Sequence, residues 1–452
     1  MGVCSTYTLL YGNLHWKVEM TPFKQHPLRE EISNEIHSRP YVLVQAPARV
    51  SYIAMCMEDT SPDAVDAVRS HLATLCRTVG VQEPEAGSHH HIFDMGNISV
   101  RWERHTEFFT LTLTEKGPFD HPFRDPPLSR LSPQWTNDLP GQAICATHMA
   151  IETDDVPERS LADIENLISG PRLVGAEIVS GGAQYWTDLS IHADGFGRVL
   201  VRAKSLSTRQ LGRVVRRLME IDTYRAMAML AFPTAQAALP TVASAESRLS
   251  DLVERLATGS KTIEDERSML DELSELSAEV ELTIAKTAFR FNAARAYEAI
   301  VANRVQELRE ERWQGLQPAG NFLYRRLAPA MATCESVSAR QRELARRVGQ
   351  ATDLLRTRVD VALEEQNKNL LESMNQRAKV QLRLQQTVEG LSVVAISYYA
   401  VSLILYVAKG LKEAGALNVA PEIVAGISLP FIALLAWAGM RRARRAVEKR
   451  LE

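Results

Sequence analysis

The sequence predicts an α+β domain, a long helical bundle and a two-helix membrane hairpin, in that order. Three patterns predict it. Strand-like alternation and short helical stretches fill the chain to about residue 240. Leucine and valine then recur at three- and four-residue spacing, with few breakers, to residue 389. Two uncharged apolar windows close the chain at 390–408 and 423–440.

Residues 1–22 are expected to be a disordered extension of an α+β domain covering 23–240. Leu28, Ile32 and Ile36 are four apart, which predicts an amphipathic helix with this stripe inward. A β-rich run, PARVSYIAMCME, precedes Ser61-Pro62, a cap-and-first-turn pair that starts a helix. Val65, Val68, Leu72, Leu75 and Val79 form its apolar face. Strand-like runs follow in SHHHIFDMG, NISVRW and FFTLTLTE.

The order returns after a connection at 115–141, whose six prolines exclude regular structure. Phe119, Phe123, Leu128, Leu131 and Trp135 favour packing of that segment over a free linker. AICATHMAIET reads as a strand, a helix is predicted from Asp155-Val156-Pro157-Glu158, and LVGAEIVSGG, QYWTDLSI and GRVLVRAKSL read as strands. His105–Phe108 and His192–Phe196 echo one another at turns between strands. The element order predicts tandem ferredoxin-like strand–helix–strand–strand units.

Ser207 and Gln210 predict a capping box, with Leu211, Val214, Val215, Leu218, Tyr224 and Met227 as the apolar face of a helix ending near Pro233. From 241 to 389 the expectation is a coiled-coil-like bundle or stalk. Leu249, Leu252 and Leu256, then Leu270, Leu273 and Val280, then Leu344, Val348, Ala351, Leu355, Val359 and Ala362 mark its seams, with a turn at 313–320.

Each closing window spans roughly 27 Å as a helix, enough for the hydrocarbon core of a bilayer. Tyr406 and Trp437 sit near window ends, as interfacial rings do, and Pro430 is tolerable inside a membrane helix. Arg377, Lys379 and Arg383 precede the first window; Arg441, Arg442, Arg444, Arg445, Lys449 and Arg450 follow the second. The positive-inside rule therefore places both flanks, including the basic tail 441–452, in the cytoplasm. No apolar signal segment opens the chain, so the expectation is a multi-pass protein of the bacterial inner membrane with both termini cytoplasmic.

Net charge is −3, which gives no global basic field for nucleic acid. The five cysteines (Cys4, Cys56, Cys76, Cys145, Cys334) are scattered, without a CxxC pair, and read as small buried residues in a reducing compartment. Candidate polar groups are His26, Arg29, Glu35, His37 and Arg39 on the first helix, Glu103, His105 and Glu107 on an alternating run, and Arg217, Glu220 and Arg225 on one helix. The first set could bind an anion or metal, the second could bind a metal or act as acid and base, and the third could bind phosphate. For each the plainer reading is a solvated face or a charge network. His89, His90 and His91 cannot converge on one metal, because successive strand residues face opposite ways. No Walker loop, GxSxG, HExxH or GxGxxG is present, so no catalytic residue, cofactor or metal is assigned.

Several phrases carry a family resemblance: His26-Pro27-Leu28-Arg29, Asn34 to Pro40, Trp102 to Phe108, Arg217 to Arg225, Leu354 to Asp360 and Gln381 to Ser392. They resemble the domain-of-unknown-function 3422 family, bacterial proteins described as uncharacterized and membrane-anchored, over about Phe23 to Arg445. The resemblance implies a topology and no activity. The favoured expectation is a non-enzymatic, membrane-anchored cytoplasmic scaffold or sensing protein. It would meet the bilayer through 390–440, form a homo-oligomer and engage a cytoplasmic protein partner. One alternative is a channel or transporter with the architecture of CorA-type magnesium channels. Its Gly-Met-Asn filter is missing, since the end of the first window reads Tyr406-Val407-Ala408. The other is an enzyme using the polar groups of the N-terminal domain.

Overall fold

The computed structural model describes residues 24–29, 32–33, 43–57, 59–170, 172–259, 262–415 and 418–451, with side chains to residue 442. The 1–22 extension lies outside the described residues. The chain divides into two compact units, Met1–Leu249 with Leu276–Arg347, and Ser250–Glu275 with Val348–Glu452.

The first unit is built on a mixed sheet. Its strands are β1 (Ala48–Cys56), β2 (His90–Met95), β3 (Ile98–Arg104), β4 (Phe108–Lys116), β5 (Gln142–Thr153), β6 (Val174–Ile178), β7 (Ala183–Thr187), β8 (Gly197–Ala203) and the short β9 (Glu311–Arg312). They lie in the order β2-β3-β4-β1-β5-β8-β7-β6-β9. Helix α1 (Pro62–Val79) joins β1 to β2. Ser61 Oγ accepts the Ala64 N–H at its start, and Gly80 closes it in the left-handed conformation. Helix α3 (Leu161–Ile168) joins β5 to β6, and the short α2 (Pro133–Asn137) lies between the halves. α3 starts after the expected Asp155, because the capping box is made by Ser160 and Asp163.

Each half is thus strand–helix–strand–strand–strand, with each strand-like run of the sequence present but one strand more than the four-element unit named for it, and both place their strands in the sheet as second, third, fourth, first. They differ in polarity. β4 runs antiparallel to β1, whereas β8 runs parallel to β5. The ten residues 80–89 between α1 and β2, against five between α3 and β6, give the chain length to enter β2 from the other end of the sheet.

Both sheet faces are covered. On one, Ile53 and Met55 join Phe109, Leu111 and Leu113 against Val68, Leu72 and Leu75 of α1. Leu131 is buried there, with Leu128 and Trp135 packed beside it, so the proline-rich connection is packed; contrary to expectation its prolines do not exclude regular structure, since Pro127 and Pro133 each start a short helical turn, where a missing N–H is tolerated. Further along, Ala150, Leu200 and Trp186 meet Ile164 and Ile168 of α3 and Trp313, whose ring lies 5.0 Å from Trp186.

The other face packs on helices α4 (Thr208–Met229), α5 (Ala231–Thr258), α6 (Ile263–Leu308) and α7 (Ala319–Glu413). The Ser207–Gln210 capping box starts α4, and Leu211, Val214, Val215 and Leu218 are buried against the sheet. Burial of each such aliphatic side chain contributes roughly 1.5–3 kcal/mol. α4 ends at Met229, close to Pro233 as expected, but Pro240 does not break the helix that follows. Pro233 lies in the first turn of α5, where a missing N–H is tolerated, and Pro240 lies within the helix, flanked by buried Ala238 and Val242. The α6 seam runs Met269, Leu273, Leu276, Val280, with Leu270 displaced to an intermediate position. Arg248–Glu279 at 2.5 Å and Arg340–Glu246 at 2.6 Å join neighbouring helices of this unit.

In the second unit, Leu252, Leu256, Val348, Leu355 and Val359 are buried, and Arg255 pairs with Glu272 at 2.9 Å. α7 continues beyond these contacts with Leu370, Leu371, Met374, Leu384 and Val388 exposed. Helix α8 spans Pro421–Leu451.

Three helical stretches are long and apolar enough to cross a membrane by length and composition: Thr208–Thr258, Ala319–Glu413 and Pro421–Arg442. The first has another explanation, since Met227, Ala228, Ala231, Ala235 and Ala238 pack into the core beneath the sheet. In the other two only 6% of the apolar window is buried.

Candidate functional site

The alternating Trp102–Glu107 run meets α4, a pairing the sequence did not foresee. Glu103, His105 and Glu220 line one narrow groove with Tyr52, Arg101, Arg216 and Tyr224, and its volume of about 30 Å³ suits a single water. Its charges are matched. Arg101 pairs with Glu103 at 2.8 Å, Arg216 pairs with Glu220 at 2.7 Å, and Arg304 of α6 also holds Glu220. Burial would raise the Glu103 carboxyl, but the guanidinium groups of Arg101 and Arg216 hold it below the usual range. His105 stacks on Phe108 at 4.3 Å.

Glu107 is turned away from this groove. It accepts from Tyr297 at 2.6 Å and pairs with Arg290 at 2.7 Å. Arg217 pairs with Glu307 at 2.8 Å. These groups form an interlocking charge network between the sheet, α4 and α6, and the network leaves no room for a substrate.

Arg225 belongs elsewhere. It lines a cavity of about 260 Å³ over β5, β7 and β8, closed by α4 and by the first turn of α7 at Ala319, Gly320 and Leu323. Cys145 and Thr147 alternate on β5 and so face the same way. Both donate to Asp222, at 3.1 and 2.7 Å, and Arg225 Nε donates to the same carboxylate at 2.7 Å. Burial opposes ionisation of Asp222, but the Arg225 charge and these hydrogen bonds keep its carboxyl below the usual range. The same surroundings make Cys145 a poor nucleophile, because burial and then the Asp222 charge push its thiol well up.

At the other end of the cavity, Tyr185 Oη donates to Glu310, which also accepts the Gly320 N–H at 2.9 Å. Glu310 thereby caps α7, and burial raises its carboxyl. A side chain at Gly320 would meet Val305 Cγ1 at 2.3 Å, so the helix start fits against α6 only with glycine there. Leu218, Met149, Val199 and Leu323 supply apolar wall between the two polar ends. The whole is a mainly apolar chamber with few fixed polar groups, the form of a small-molecule binding site.

Sequence reasoning found Arg225 but missed Asp222, Cys145, Thr147, Tyr185 and Glu310. A signal existed: Leu211, Val215 and Leu218 form a stripe that continues into Asp222 and Arg225, so two charges fall on the buried side of α4. His26 and Arg29 are exposed, as are Leu28 and Ile32 at 48% and 55%, so the described part of the expected inward stripe is not inward. Glu35, His37 and Arg39 lie outside the described residues. Among the described residues no three His, Cys, Asp or Glu side chains come together as a metal-binding group.

No curated protein matches this chain at a significant level. A family model described as "Protein of unknown function (DUF3422)" matches residues 24–447, nearly the whole sequence. The chain therefore belongs to the DUF3422 family.

Proposed function

We propose that the chain is a membrane-anchored sensing protein whose N-terminal sheet domain holds a small ligand in the cytoplasm. The observation that carries this reading is the continuity of α7. Its first turn, Ala319 to Leu323, lines the cavity, and the same helix runs on through the apolar window 390–408. A ligand that orders the start of such a helix acts on the element that enters the bilayer. In this reading 390–408 and 423–440 form a hairpin, and both flanks lie on the cytoplasmic face of the inner membrane.

Two details of the second unit favour a hairpin. Ala408 and Ala425 are buried while most side chains of both windows are exposed, as expected of small residues where helices approach closely. Arg441 lies over the Trp437 ring at 4.9 Å, a pairing suited to a membrane interface. The exposed Leu370, Leu371, Met374, Leu384 and Val388 on α7 favour coiled-coil-like association between copies of the chain.

The test is topology in spheroplasts with a membrane-impermeant thiol reagent applied from outside. Ala414→Cys, in the expected outer loop, should label, and Ala446→Cys, in the basic tail, should label only after lysis. Labelling of Ala446→Cys from outside, or of neither before lysis, overturns the proposed orientation.

A further inference from the structure

Beyond Val359, α7 outruns the helices that pack beside it. Arg358 Nη1 donates to the Leu256 carbonyl at 3.0 Å, close to the end of α5 at Thr258, and α6 begins at Ile263. Val359 is the last buried residue of this seam, and every side chain from Glu364 to Val388 is exposed. The exposed residues are nonetheless ordered. Leu363, Leu370, Met374, Leu384, Val388 and Leu391 fall on one line with steps of three and four, and Asn367, Arg377 and Gln381 fill its remaining positions. At 3.6 residues per turn, Glu365, Lys368, Glu372, Lys379 and Arg383 fall on the far side of the helix. Between Gln366 and Val388, Arg377 is the one charge on the stripe.

The stripe is also wide. The positions that flank it from Gln366 to Thr387 carry no charge and include Leu371, Ala378 and Val380, where a two-stranded coiled coil sets charged residues. A face of that width suits a helix with two neighbours in a bundle. From this pattern we infer that residues 363–391 of α7 pack against further copies of the chain as a parallel, in-register bundle of three or more helices. The inference deepens the association proposed above, and it takes its direction from the hairpin reading. Copies that enter one membrane at Gly390 from the same side run parallel, so each layer of the seam meets itself. Apolar layers at Leu370 and Met374 and at Leu384 and Val388 then hold the bundle together. The Asn367, Arg377 and Gln381 layers match polar with polar and fix the register at a cost in stability.

The test places single cysteines in the full chain in native membranes and oxidises them with copper phenanthroline. Leu370→Cys and Leu384→Cys should each give disulfide-linked pairs, while Lys368→Cys and Lys379→Cys stay at the level of the parent. Positions 370 and 384 are about 21 Å apart along the helix, so linkage of like with like at both requires a parallel arrangement. Light scattering of the parent in detergent should give a mass of at least three chains. Arg377→Leu removes the charged layer and should lower the concentration of half-dissociation by about tenfold, whereas Lys379→Leu, on the outer face, should leave it unchanged. Linkage at Lys368 or Lys379 equal to that at Leu370 would overturn the inference. So would linkage only between Leu370→Cys and Leu384→Cys chains in a mixture, a mass of one or two chains, or an Arg377→Leu assembly no tighter than the parent. A chain that cross-links as expected but washes off membranes would sink the anchoring reading and leave the bundle standing. An integral chain without linkage at 370 and 384 would sink the bundle alone.

Discussion

His148 offers a stability test that needs no ligand. It lies on β5, on the sheet face opposite the cavity, and is 4% exposed. Its ring stacks on Phe196 at 3.9 Å, and its Nδ1 lies 3.1 Å from Ser51 Oγ. Burial, with Arg198 adding to it and Asp194 opposing, lowers its pKa from 6.5 to about 4. The folded state therefore resists a proton that the unfolded chain accepts below its ordinary value. Stability is fully present above about pH 6.5 and is lost as pH falls towards 4. At 1.36 kcal/mol per unit, the loss is about 2 kcal/mol at pH 5 and about 3 kcal/mol once both states are protonated. The assay compares denaturant unfolding of the parent and His148→Gln between pH 8 and pH 5. Glutamine can keep a hydrogen bond to Ser51 and does not titrate, so its profile should be flatter by about 2 kcal/mol at pH 5. Glu103 and Asp222, both held low, lose their contributions mainly below this window, and groups shifted within it, such as Glu310 and His121, are common to both proteins and cancel in the comparison. Parallel profiles for the two proteins would refute the reasoning.

Other perturbations follow from the same geometry. Asp222→Asn leaves Arg225 without its counter-charge and should cost roughly 2–4 kcal/mol by thermal or denaturant melt, while Asp222→Leu with Arg225→Leu should recover part of that loss. Trp135→Ala removes a ring stacked 4.6 Å from His71 and a hydrogen bond to the His71 carbonyl at 3.2 Å. It should expose 118–140 to limited proteolysis while the rest of the domain stays resistant. Leu370→Asp with Met374→Asp should lower the subunit number seen by light scattering in detergent, if α7 associates through its exposed stripe.

Much of the fold was legible in the sequence because it rests on local rules. The Ser61-Pro62 and Ser207–Gln210 starts, the alternation of Phe108–Lys116, and the spacing of Leu249, Leu252 and Leu256 each specify their element without distant partners. What escaped depends on tertiary packing. Pro240 reads as a break until the surrounding alanines and Val242 bury the helix that holds it. β9 is two residues long and exists only by pairing with β6. The polarity of β2 is set by a connection whose path no periodicity records. The site was the least legible part. Glu103 and His105 share one groove, but Glu107, grouped with them in the sequence, turns to Tyr297 and Arg290, and Glu220 joins from α4 in a matched network around one water volume. The chamber depends on Asp222, which looks like an ordinary helix charge until Thr147 and Cys145 arrive from a strand distant in sequence.

The most direct test of the account is the fate of the chain in fractionated cells. The full chain should remain in the pellet after a high-pH carbonate wash that strips peripheral proteins, and a chain ending at Glu389 should move to the soluble fraction in folded form. Recovery of the full chain in the carbonate supernatant, or retention of the shortened chain in the washed membrane, would contradict the assignment of 390–440 as the anchor.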